Sequence, residues 1–179
     1  MASAQLRGIP RNLVSSGKTI FAGRPNSLGS IGRVGESAQD TGEVMKTNEL
    51  RVMLVEDDPE DVAFTKIILR KAGLDRNLLV AQDGKEAIEA LVRLKEDVSR
   101  IPDLILLDIN LPDISGIDLL TQLKLDHKLS RIPVVMLTGS NFDDDIQKSY
   151  DLGASTYLVK PISKDALMLV IENVFSNDR

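Results

Sequence analysis

Val52-Met53-Leu54-Val55-Glu56-Asp57-Asp58-Pro59 decides the fold of this chain. Four apolar residues in a row, with no polar alternation, predict a strand covered on both faces. The run stops in three carboxylates and a proline. Asp58 offers an N-cap acceptor and Pro59 suits the first helical position, so a helix must begin there. Phe64, Ile67 and Ile68 then share one face, with Lys66, Arg70 and Lys71 elsewhere, and Gly73 stops the helix.

Working outward, the same strand-then-helix unit recurs. Leu78–Ala81 is a short strand, and Gly84 leads to a helix with Ala87, Leu91 and Leu94 in register. Leu104-Ile105-Leu106-Leu107 ends in Asp108 and is followed by a loop with Pro112 and Gly116. Leu119, Leu120 and Leu123 mark the third helix. Val134-Val135-Met136-Leu137 ends in Thr138, and Phe142, Ile146 and Tyr150 are spaced as one helical face. Tyr157-Leu158-Val159 ends in Lys160-Pro161, and Leu167, Val170, Ile171 and Val174 form the clearest helical stripe, behind Ser163 as cap.

Five strands and five helices in strict alternation predict a doubly wound α/β fold with one parallel sheet and right-handed crossovers. In such sheets the functional crevice lies beyond the carboxyl ends of the strands. Glu56, Asp57, Asp108, Thr138 and Lys160 all fall at those ends. Clustered carboxylates, one hydroxyl and one ammonium suit a divalent metal and a phosphoryl group, with an aspartate as nucleophile. Taken singly, each residue has a plainer reading: Asp58 as a helix cap, Thr138 as a cap hydroxyl, Lys160 as a solvated charge. The coincidence of four strand ends, each carrying a group that one reaction needs, favours the functional reading.

Composition bounds the rest. The 179 residues allow one domain, their 42% hydrophobic content can build a core, and 3% aromatics make that core aliphatic. No cysteine is present, which removes disulfides and thiolate metal sites. No apolar run approaches the roughly 20 residues of a membrane span, so a soluble, cytoplasmic protein is expected. A net charge of −5 gives no support to nucleic-acid binding.

Charge also divides the chain. Residues 1–48 carry six basic and three acidic residues and seven of the twelve glycines, leaving 16 basic and 24 acidic residues, a net of −8, from position 49 onward. The first 48 residues are expected to be a disordered arm, with the folded domain over 49–179. Alternative readings of the arm are a targeting segment, or sequence upstream of a true start at Met45. Ser15-Ser16-Gly17-Lys18-Thr19 ends like a phosphate-binding loop, but Asn12 stands where that motif needs glycine and no strand precedes it.

The domain resembles the response-regulator receiver domains of two-component signalling over roughly residues 50–175. The residues that carry the likeness are Glu56-Asp57, Asp108, Thr138 and Lys160-Pro161, in that order and on successive strand ends. The resemblance implies a flavodoxin-like (βα)5 fold with strand order 2-1-3-4-5, the order the chemotaxis regulator exemplifies. It also implies Mg²⁺ held by Glu56, Asp57, Asp108 and the backbone carbonyl of Asn110, with Asp57 a direct ligand. Asp108 is then the phospho-accepting aspartate, Lys160 the phosphate-contacting lysine on a cis peptide to Pro161, Thr138 the switch hydroxyl and Tyr157 the aromatic switch residue. Gly139 leaves the phosphoryl position open. Where the family often has Met-Asp-Gly, this chain has Ile114-Ser115-Gly116, and Gly116 is expected to keep the turn.

Val55-Glu56-Asp57-Asp58-Pro59-Glu60-Asp61 and Arg131-Ile132-Pro133 look most like phytochrome-associated single-domain regulators. The implied partner is a sensor histidine kinase of phytochrome type, or a histidine phosphotransfer protein. The expected output surface is the fourth helix, fifth strand and fifth helix, around Phe142, Asp143, Ile146, Tyr157 and Lys164, which could also mediate a homodimer. The chain is expected to be no enzyme beyond its own phosphorylation and dephosphorylation. Its one histidine, His127, is expected in a solvated loop, and no output module is expected after residue 179. Two other classes compete. A haloacid-dehalogenase-like phosphatase needs paired aspartates where this chain has Glu56 and Asp58, and a flavodoxin-like FMN binder needs a hydroxyl-rich loop where it has Asp57-Asp58-Pro59.

Overall fold

The computed structural model describes residues 49–139 and 143–176, with the side chains of Asp143 and Asp144 excepted. The expected arm, the start at Met45 and Phe142 lie outside the described residues. The elements run β1 (Arg51–Val55), α1 (Pro59–Ala72), β2 (Asn77–Ala81), α2 (Gly84–Leu94), a 3₁₀ turn (Val98–Arg100), β3 (Leu104–Asp108), α3 (Gly116–Leu125), β4 (Val134–Thr138), α4 (Asp143–Asp151), β5 (Thr156–Val159) and α5 (Lys164–Ser176). The five strands form one parallel sheet in the order β2-β1-β3-β4-β5.

The continuous apolar runs of the three inner strands are buried, while Tyr157 and Val159 of β5 are half-buried. Every residue of β3 and β4 is buried, as is Val52–Val55 of β1. β2 departs from that pattern. It stands at the sheet edge, its burial alternates, and Leu79 is exposed.

Register sets the site. Val55 pairs with Leu107, Asp108 with Leu137 and Thr138 with Val159, so β1, β3, β4 and β5 end level with one another. Parallel pairing also continues past the strand ends: Glu56 N–H donates to the Ala81 carbonyl (3.0 Å), Ile109 N–H to Leu137 (3.1 Å) and Lys160 N–H to Thr138 (2.8 Å). The backbone carrying each polar side chain is therefore fixed by the sheet itself.

Helix α1 starts as the sequence indicates. Asp58 caps it, its carboxylate accepting from the N–H groups of Glu60 (2.7 Å) and Asp61 (3.2 Å), and Gly73 ends it in the left-handed region at φ 75°. Its buried face differs from the expected one. Thr65, Ile68, Leu69 and Ala72 face the core, while Phe64 and Ile67 are exposed. The buried set has the i, i+3, i+4, i+7 spacing of a helical stripe, and Thr65 belongs to it despite its hydroxyl. Burying a side chain such as Leu69 stabilises the fold by about 1.5–3 kcal/mol. At the other end of the domain, Ser163 caps α5 by accepting from Ala166 N–H at 3.2 Å, and of the expected stripe Leu167, Val170 and Ile171 are buried while Val174 is half-buried.

Candidate functional site: a carboxylate cluster around one ammonium

Lys160 is the centre of the site. Its Nζ lies 2.6 Å from Glu56 Oε2, 2.6 Å from Asp108 Oδ1 and 2.9 Å from Asp61 Oδ2. Glu56 is 1% exposed and Asp108 3%, so two of these carboxylates have left water almost completely. Charges that deep persist only when paired or bound to a cation. The Lys160–Pro161 peptide bond is cis, as the resemblance implied.

Electrostatics follow from that crowding. Burial pushes the Glu56 carboxyl above its usual range, the Lys160 ammonium pulls it back, and the neighbouring Asp108 charge pushes it up again. Burial would lower the Lys160 ammonium, but contacts with Asp108, Glu56 and Asp61 outweigh it and raise the group. Glu56 Oε2 is buried and, despite its close contact with Nζ, makes no bond of hydrogen-bond geometry. That is an unspent acceptor aimed into the cluster.

The fit to a metal is good. Glu56, Asp57 and Asp108 each offer a carboxylate oxygen, all within 4.8 Å of one another. Three hard oxygen donors, one of them exposed on Asp57, match the preference of a small divalent cation that keeps several waters. Asp108 is held in place by the loop after it: Asn110 N–H donates to Asp108 Oδ2 at 2.6 Å. Oδ1 is the atom that faces Lys160. An open cleft of about 320 Å³, lined by Asp57, Pro59, Val62, Ala63, Lys66 and Gln82, runs beside the cluster.

Thr138 is buried at the end of β4, and a side chain added at Gly139 would meet nothing within 4 Å among the described residues, in keeping with an open position above the strand ends. Tyr157 is half-buried and packs edge-on against Tyr150, with ring centroids 6.1 Å apart. The Tyr150 hydroxyl lies 3.3 Å from Thr156 Oγ1. Asp58 caps α1 and does not join the carboxylate cluster among the described residues, and His127 is exposed in the loop after α3.

Two residues escaped sequence reasoning. Asp61 reaches back from the first turn of α1 to Lys160; the signal was an acid three positions after the cap, on the helix end that faces the strand termini. Asp113 accepts from Gly84 N–H (2.9 Å) and Lys85 N–H (2.8 Å), tying the loop that carries Asn110 to the start of α2. Gly116 plays a different part from the one expected. It is not among the described glycines with positive φ. A Cβ there would lie 2.0 Å from the Asp108 carbonyl oxygen, so glycine is needed for close approach of α3 to β3.

Comparison with known proteins agrees with this geometry. Residues 52–172 match the response regulator receiver domain. The response regulator Rcp1 of Synechocystis is 36% identical over 70% of this chain and 86% of its own length. The Mn²⁺-bound crystal form of Rcp1 superposes with a TM-score of 0.57 over 70% of this chain and 94% of that one. The bacteriophytochrome response regulator RtBRR is 35% identical with a TM-score of 0.63, covering 70% of this chain and 77% of that one. The phosphorylated cyanobacterial phytochrome response regulator RcpA is 34% identical with a TM-score of 0.59, over 73% and 96%. No described helix is long and apolar enough to cross a membrane.

Proposed function

This chain belongs to the response regulator receiver domain family, and we propose that it accepts a phosphoryl group from a partner phosphohistidine onto Asp108 in a Mg²⁺-dependent reaction. The observation that carries this reading is the buried Asp108 Oδ1 facing Lys160 Nζ at 2.6 Å, within the same 4.8 Å cluster as Glu56 and Asp57. Asp108 Oδ1 attacks the phosphorus. The new O–P bond forms as the P–N bond to the donor imidazole breaks, and the bonding pair stays on the ring nitrogen. Lys160 neutralises the oxygens of the transferred group, and the Thr138 hydroxyl donates to it. Asn110 N–H keeps Asp108 Oδ2 from rotating into the attacking position. The carboxylates of Glu56, Asp57 and Asp108 and the Asn110 carbonyl would hold Mg²⁺, which would supply charge neutralisation at the transferred group.

The donor is a sensor histidine kinase, with phytochrome-type kinases favoured by the likeness to RtBRR and Rcp1, or a histidine phosphotransfer protein. The chain acts as a signalling domain that catalyses only its own phosphorylation and dephosphorylation. Its output is the face of α4, β5 and α5, read by a partner or a second copy, in an aqueous cytoplasmic setting without nucleic acid. A stand-alone phosphatase finds no support, since Asp58, the second aspartate it would need, is committed to capping α1.

Acetyl phosphate with Mg²⁺ should add one phosphoryl mass to the protein, and Asp108→Asn should abolish it, because an amide is a poor nucleophile. Asp57→Asn should weaken Mg²⁺ binding and slow labelling. Wild-type labelling of the Asp108→Asn protein would refute the acceptor assignment.

A further inference from the structure

Lys160 Nζ is already crowded by three carboxylates before any phosphoryl group arrives, at 2.6 Å from Glu56 and Asp108 and 2.9 Å from Asp61, and it donates a hydrogen bond to Asp61. A phosphoryl oxygen approaching the ammonium therefore competes with one of them. Glu56 is 1% exposed and has no water to turn to. Asp108 stays covalently part of the product. The Asp61 side chain is 45% exposed and sits on the first turn of α1, where a rotamer change returns it to solvent. The geometry points to Asp61 as the exchangeable partner of Lys160, a positioning residue that tethers the ammonium in the unphosphorylated protein and is displaced when phosphate binds. This rests on Asp108 being the acceptor.

The consequence is a brake. The Asp61 carboxylate competes for Lys160 and also places a fourth negative charge beside the path of an anionic donor. Two unit charges about 5 Å apart at the water-like dielectric of an exposed side chain interact by an amount worth about a fivefold change in rate. Being exposed, that interaction is screened by salt. Asp61→Asn should therefore raise the sub-saturating rate of labelling by acetyl phosphate, and the affinity for beryllofluoride in Mg²⁺, by about fivefold each. Both gains should shrink toward unity at about 1 M salt, which a purely structural role for Asp61 would not predict.

The experiment compares wild type, Asp61→Asn, Asp61→Glu and Asp108→Asn in those two assays at low and high salt, with melting temperatures as a folding control. Asp61→Glu keeps the charge and should lose most of the gain seen with Asn. Asp61→Asn at the wild-type rate and affinity, or slower than wild type, overturns the tether, as does a Glu variant that matches the Asn one. The Asp108→Asn arm separates the two ideas: if it abolishes labelling while the Asp61 variants do nothing, the acceptor stands and the tether falls. If it labels like wild type, the acceptor assignment itself has failed.

Discussion

Gly116→Ala should be the most damaging single methyl in the domain. Its Cβ would stand 2.0 Å from the Asp108 carbonyl oxygen, 2.9 Å from the Asp108 carbonyl carbon and 3.0 Å from Ile109 Cα. All three are backbone atoms, so no rotamer change can relieve the contact. An ordinary Cβ contact needs more than 3 Å, so β3 and the start of α3 must separate by over about 1 Å, straining the Gly116 N–H bond to the Ile109 carbonyl, now 2.8 Å. Overpacking a core costs about 1–3 kcal/mol and more when backbone has to move, and the better helix propensity of alanine returns less than about 1 kcal/mol. A net loss of about 3 kcal/mol, set against an unfolding entropy of about 2.1 cal/mol/K per residue for a domain of roughly 130 residues, lowers the melting temperature by about 10 °C. Calorimetry measures it, and labelling by acetyl phosphate should fall as well, because the displaced carbonyl belongs to the proposed acceptor. Two controls rank the argument. At Gly84 the clash is with Ile114 Cγ1 at 2.3 Å, a side chain that can turn, so alanine there should cost less. At Gly139 nothing among the described residues lies within 4 Å, and alanine should leave stability within about 0.5 kcal/mol of wild type. A Gly116→Ala protein that melts within about 3 °C of wild type, or above the Gly84→Ala protein, refutes the steric reasoning.

Asp126 gives a pH test. Its carboxylate accepts from Lys95 Nζ (3.0 Å), Lys128 N–H (2.8 Å) and Leu129 N–H (3.1 Å), which lower its pKa to about 2. A folded pKa below the unfolded value of about 3.9 means stability that is present above that value and lost as pH falls through about 2. The melting-temperature deficit of Asp126→Asn should be constant above about pH 5 and fade toward pH 2; a deficit undiminished at pH 2 would mean the charge is not what matters. Thr138→Ala should still accept phosphate, several-fold more slowly, yet fail to pass the signal on. Partner binding or dimerisation with and without beryllofluoride checks it, and a full response in the variant rules out switching through this hydroxyl.

The sheet was legible because each strand is an uninterrupted apolar run closed by a polar residue, a pattern that burial on both faces imposes on β1, β3 and β4. The gathering of Glu56, Asp57, Asp108 and Lys160 followed from topology alone, since parallel strands must end on one edge. What failed was local. Helix α1 offers two overlapping apolar stripes, and residue type favoured Phe64 and Ile67 over Thr65; only packing against the sheet chooses between them. Gly116 looks like a turn residue in sequence, which shows glycine's freedom but not the carbonyl pressed against its missing side chain. Asp61 and Asp113 were hidden for the same reason. An acid in a helix's first turn or in a loop is ordinary, and its partner, Lys160 in one case and the start of α2 in the other, is far away in sequence.

The cluster is a poor device for stability. Three carboxylates face one ammonium, Asp57 adds a fourth negative charge to the group, and Glu56 and Asp108 are buried. Desolvating such charges costs several kcal/mol per ion, which a single lysine does not return. The rise in the Glu56 pKa is the protein's own sign of that imbalance. An arrangement that weakens the fold and leaves a buried acceptor oxygen without a hydrogen bond makes physical sense when further positive charge is part of its working state. On the proposed reading, a divalent cation would relieve the repulsion among Glu56, Asp57 and Asp108, and a phosphoryl group would enter a site whose lysine has a partner to release. Affinity for the metal, access of the donor and the position of Lys160 are for that reason one coupled electrostatic problem, and a substitution at any of the four carboxylates should shift all three together.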